Sequence, residues 1–117
     1  MANLETGTTQ IMIDLRTPKD FFLIRESAAL AANSGLKGET VVVESQGEAL
    51  ISRDIPKSVV VSGTPRQITV FEELLTGAER ASRKIEEFTR ESLAAYEAGI
   101  RDHFQLQAIR LGLQRAA

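Results

Sequence analysis

The apolar positions of this chain change period along its length. QIMIDL (10–15) is short and β-rich, which predicts a strand buried on both faces. From Phe21 the period lengthens: Phe21, Ile24, Ala28 and Ala31 or Ala32 recur at helical spacing. Thr17 stands where an N-cap belongs, with Pro18 at the first helical position and Asp20 three residues past the cap, while NSG (33–35) supplies a glycine stop. TVVVES (40–45), ALISRDI (49–55) and SVVVSG (58–63) then read as three strands. Connections as short as QGE and PK favour an antiparallel meander, because parallel neighbours need a long crossover.

A second Thr-Pro opens the last segment. Thr64 as N-cap, Pro65 at the first helical position and Gln67 at the third predict a capping box, the device already met at Thr17, Pro18 and Asp20. Beyond these positions the apolar phases diverge, so the likeness is one local solution used twice and not a duplication. Phe71, Leu74, Ala78, Ala81, Ile85 and Phe88 then follow at steps of 3, 4, 3, 4 and 3, the spacing of a helix packed along a narrow seam. After a five-residue step, Leu93, Tyr96, Ile100, Phe104, Ala108 and Leu111 form a second stripe. Gly77 and Gly99 are weak points, and a break near Gly99 would leave a final short helix.

Length gives this segment its meaning. A helix of about 35 residues extends roughly 50 Å, whereas strands of about six residues make a sheet about 20 Å tall. If the helix is continuous, its far stripe must be buried on another subunit or a partner; if it folds back at Gly99, it packs on itself. The pattern as a whole predicts one α+β domain of order β-α-β-β-β-α, with a small, mainly antiparallel sheet. Its parts are a flexible N-terminus (1–9), a sheet region (10–63) and a long C-terminal helical oligomerisation segment (64–117). The expected subunit interface runs through Phe71, Leu74, Ala78, Ala81, Ile85, Phe88, Leu93, Tyr96, Ile100 and Phe104.

Composition changes the picture little. The chain of 117 residues is 43% hydrophobic and 26% charged, as an ordinary folded domain is, and contains no cysteine. That excludes a disulfide framework and a thiol nucleophile and makes a reducing, cytoplasmic setting the expectation. MANLETGTTQ lacks the basic and apolar regions of a secretory signal, and no apolar run approaches the roughly 18 residues of a membrane span. The net charge of -2 argues against a dedicated nucleic-acid wrapper.

Candidate chemistry is sparse. VVVSGTPR places a glycine and a helix start directly after a strand, which makes Thr64 and Arg66 anion-contact candidates, although the glycine spacing and lysine of a P-loop are missing. RASRK supplies the dense basic cluster Arg80, Arg83 and Lys84, readable as phosphate contacts or, more simply, as an ion-paired helix surface with Glu79 and Glu87. His103 is the single histidine, so no metal centre or cofactor is expected. An enzyme would have to assemble carboxylates such as Asp14, Asp20 and Asp54 in space.

GETVVVESQGEALIS (38–52), following an Ala-rich helix, resembles the Phd/YefM antitoxins. That resemblance implies a strand, a helix and a glycine-linked hairpin forming a DNA-binding dimer, with a C-terminal helix that binds a toxin. The strand SVVVSG and the modest basicity of the first helix depart from it. The leading expectation is a non-catalytic, homo-oligomeric binding protein, an adaptor, inhibitor or regulator, that engages a protein or a small anionic ligand. Nucleic acid is the less favoured partner, and a membrane is not expected.

Overall fold

The computed structural model describes residues 8–34, 40–52, 54–89 and 92–113. The elements run β1 (Thr9–Asp14), α1 (Pro18–Ala32), β2 (Val42–Ser45), β3 (Leu50–Ser52), β4 (Ile55–Pro56), β5 (Ser58–Gly63), α2 (Pro65–Thr89) and α3 (Leu93–Leu111). The α+β class is as expected. The expected flexible N-terminus lies mostly outside the described residues, and Thr9 already belongs to β1.

The strands do not form a meander. β5 lies between β1 and β2, antiparallel to both, while β3 and β4 pair separately as a small two-stranded ribbon. The apolarity of β5 explains this order: Val59 and Val61 are fully buried, so the strand takes the centre with a neighbour on each side, whereas a meander would leave it at an edge. Gly47 (φ 77°) turns the chain out of β2, and Asp54 (φ 65°) turns it within the ribbon. GETVVVESQGEALIS is therefore not a hairpin, since its two strands belong to different sheets. The structure departs from the antitoxin resemblance at that point.

β1 is covered on one face only, not on both. Thr9, Ile11 and Ile13 are half-buried on the helix side, and Gln10, Met12 and Asp14 alternate outward, because the helices occupy only one side of the sheet. Both predicted helix starts fall at Pro18 and Pro65. At α1 the Asp20 carboxylate accepts from the N–H groups of Arg16 (2.8 Å) and Thr17 (3.1 Å). At α2 the capping box is reciprocal: Gln67 N–H donates to Thr64 Oγ1 at 3.2 Å, and Thr64 N–H donates to Gln67 Oε1 at 3.0 Å.

Gln67 does more than cap. Its side chain is fully buried, and its Nε2 donates to the Ala32 carbonyl at the end of α1 at 3.2 Å. Arg66 Nε donates to the Ser34 carbonyl (3.2 Å) and Asn33 Nδ2 to the Leu113 carbonyl (3.2 Å), so the end of α1, the start of α2 and the end of α3 are clasped together. Of these acceptors the Ala32 carbonyl is one that a helix end leaves without an intrahelical donor. Gly63 is packed tightly here, since an added Cβ would lie 3.1 Å from Gln67 Oε1 and would press on the capping amide.

The C-terminal segment is two helices, and it breaks before Ser92 rather than near Gly99. Ser92 is the N-cap of α3, its hydroxyl accepting from Ala95 N–H at 3.1 Å. The helices return antiparallel: Ser82 meets Tyr96, Ile85 meets Gly99, and Gly77 faces His103. Gly99 is thus a place of close approach and Gly77 an ordinary contact, and the helices run on through both. α3 ends on Gly112 in the left-handed conformation (φ 69°), and Leu113 N–H folds back to the Ala108 carbonyl (2.8 Å), burying its side chain.

Candidate functional site

The residues expected between subunits are largely a seam within one chain. Phe71, Leu74, Ala78, Tyr96, Ile100 and Phe104 are all buried in the fold, and Ala81 and Ile85 are half-buried. Reversal of the helix explains this, because the two stripes meet each other and the sheet, and the length argument no longer calls for a second subunit. Leu93 is 65% exposed at the start of α3. The Phe88 side chain lies outside the described residues.

The anion-contact candidates do not converge. Thr64 is occupied in the capping box and Arg66 holds the Ser34 carbonyl, so this helix start is part of the clasp. Arg83 faces a cleft of about 440 Å³ between the β1–α1 turn and α2, whereas Arg80 faces the opposite groove between α2 and α3, beside Arg110. Lys84 is exposed. Among the described residues, Glu79 and Arg83 are not ion-paired, and the salt bridge formed is Lys19–Glu86 (3.1 Å). The Glu87 side chain lies outside the described residues.

The cleft brings Asp14 and Asp20 together, on a floor that includes Leu23 and Leu75, while Asp54 is not among its lining residues. Asp14 accepts from the Ser58 hydroxyl (2.8 Å) and Asp20 serves the α1 cap, so both carboxylates are engaged in holding the fold. On its rim Lys19 also lies 4.5 Å from the Tyr96 ring centre. Burial raises the Tyr96 hydroxyl above its ordinary pKa, with the Glu86 charge adding to the rise and the Ser82 hydrogen bond (2.6 Å) opposing it. His103, on the α3 face turned to Gly77, is pushed below its ordinary value, first by burial and then by the Arg110 charge.

The feature that packing leaves unused is the outer face of α3. Ala95, Ala98, Asp102, Leu106 and Ile109 recur at steps of 3, 4, 4 and 3, and all are exposed. Leu106 is 64% and Ile109 59% exposed. An α1–α3 groove of about 490 Å³, floored by Leu30, Phe104 and Ala108, runs beside this stripe, with Glu26 on one rim and Arg101 on the other. α3 therefore carries apolar side chains on both faces, the pattern of a helix covered on both. The outer stripe escaped the sequence reading because the stronger stripe through Tyr96, Ile100 and Phe104 sets the apparent phase.

No family model matches the chain, and no characterised protein or solved structure is significantly similar to it. No helix among the described residues is long and apolar enough to cross a membrane.

Proposed function

We propose that this protein is a non-catalytic adaptor or regulator that binds an amphipathic helix of a partner protein along the outer face of α3. The observation that carries this reading is the exposed stripe Ala95, Ala98, Asp102, Leu106 and Ile109. Two alanines at one end let a second helix approach closely, and two large aliphatics at the other give it area to bury. Fully covering one such aliphatic contributes about 1.5–3 kcal/mol.

Charge selects the partner. In a twofold antiparallel pairing of α3 with its own copy, Ala95 would face Ile109, Ala98 would face Leu106, and Asp102 would face Asp102. Like charges at the centre of an interface oppose association. A partner helix with apolar residues at the same spacing and a Lys or Arg opposite Asp102 satisfies every position.

The test compares the wild-type chain with Leu106→Asp/Ile109→Asp in cells of the native host. Both positions are exposed, so the double variant keeps wild-type helix content and cooperative unfolding. A protein bound in stoichiometric amount to the wild type should be lost from the variant. A folded variant that retains every bound protein contradicts the reading, as does a wild type that binds none.

A further inference from the structure

We infer that two copies of this chain join through the free edge of β1, pairing it antiparallel with itself about Met12. The direction of the peptide groups is fixed by the ladder. Leu15 N–H donates to the Lys57 carbonyl at 2.8 Å, and in an antiparallel pair the bonded positions alternate. Ile13, Ile11 and Thr9 thus turn their peptide groups to β5, and Gln10, Met12 and Asp14 turn theirs outward. No strand pairs with that outer edge among the described residues.

Edges meant to stay unpaired are blunted by charged side chains, above all lysine, or by proline, bulges or shortness. Along β1 the one charge is Asp14, at the end of the strand, and the other devices are missing. The strand pairs with β5 over six consecutive residues without a register shift, and its sequence TQIMID contains neither proline nor lysine. The opposite edge is the four-residue β2, which carries Glu44.

The occupant follows from the register. Side chains stay on their own face only if paired residues share parity, and a twofold axis at Met12 does this: Met12 faces Met12, Ile11 faces Ile13, and Gln10 faces Asp14. No like charges meet, and a carboxamide lies opposite a carboxylate. On the outer face Met12, 66% exposed, sits across from Val60 and would gain the second Met12 as its other neighbour. On the helix side a groove of about 520 Å³ runs between β1 and α2, lined by Ile11, Ile13, Phe71 and Leu75 together with Glu72 and Thr76. The partner's Ile11 and Ile13 side chains project into it, so each copy fills the other's groove. This surface and the α3 face lie on different elements, so either can fail alone, and a β1 dimer would present two α3 faces.

The test uses mass and a single cysteine. Sedimentation equilibrium of the wild type should give twice the 12.8 kDa of the chain, and Met12→Lys, which places two ammonium groups at the axis, should give the single-chain mass with unchanged circular dichroism. The chain has no cysteine of its own, so Met12→Cys reports the register directly. Paired Cα atoms about 5.5 Å apart lie within disulfide reach. Mild oxidation should then cross-link Met12→Cys into a covalent dimer and leave Gln10→Cys, which faces Asp14, largely monomeric. A wild type of single-chain mass at every accessible concentration overturns the inference. A dimer that persists in Met12→Lys, or that cross-links through Gln10→Cys in preference to Met12→Cys, overturns it equally.

Discussion

Replacing Gln67 with alanine tests whether the clasp at the end of α1 holds the fold. The side chain is fully buried, accepts from Thr64 N–H at 3.0 Å, and donates to the Ala32 carbonyl at 3.2 Å. Truncation strands a donor at the start of one helix and an acceptor at the end of another. A buried polar group left unmatched costs about 1–3 kcal/mol, and water entering the vacated space recovers part of that. Loss of the capping interaction is part of the same cost and is not added again. The expected destabilisation is about 2–4 kcal/mol, a large share of the roughly 5–15 kcal/mol that domains of this kind possess. Urea unfolding followed by far-ultraviolet circular dichroism measures it, with an unchanged slope confirming the same two states. Thr64→Ala should cost about 1 kcal/mol alone and less in the Gln67→Ala background, since the two side chains form one box. A Gln67→Ala midpoint equivalent to less than about 0.5 kcal/mol, the scatter of an inert surface change, would refute the clasp.

Three further outcomes follow from the α2–α3 hairpin. Gly77→Ala should stabilise the protein by up to about 1 kcal/mol, because its new Cβ meets His103 at an ordinary 3.7 Å; Gly99→Ala should melt lower than Gly77→Ala, since its Cβ lies 3.1 Å from Ile85. Ser82→Ala and Tyr96→Phe should each cost about 1–2 kcal/mol by stranding the other hydroxyl, and the double variant should cost less than their sum in a thermodynamic cycle. His103 has a folded pKa below its ordinary value of 6.5, so the unfolded chain binds the extra proton first. Stability should be greatest above pH 6.5 and fall as pH drops from there toward the folded value, and His103→Phe should flatten this slope in urea titrations.

What could be read from the sequence was local. Thr17-Pro18 and Thr64-Pro65 start their helices where expected because capping needs only residues within one turn. The seam positions Phe71, Leu74, Ile100 and Phe104 are buried as their periodicity demands, but periodicity does not say against what. The five-residue step from Phe88 to Leu93 was the sign of the reversal, and Ser92 the cap that makes it; attention to Gly99 missed both, because a glycine within a helix signals close approach as readily as bending. Strand order was hidden for a similar reason. Short loops favour pairing of sequence neighbours, yet the burial of Val59 and Val61 outweighs them and draws β5 to the centre. The outer α3 stripe and the free β1 edge depend on which faces the rest of the chain leaves uncovered, and that is a property of the assembled fold.

The most direct test of the binding reading is site-specific photocrosslinking in the native host, with a benzophenone amino acid placed at position 106 or 109 of α3 and, as a control, at the exposed Lys84 of α2. The account predicts one discrete heterologous adduct from positions 106 and 109, absent at 84, with a basic residue in the cross-linked helix. Adducts no stronger at 106 and 109 than at 84 would contradict it.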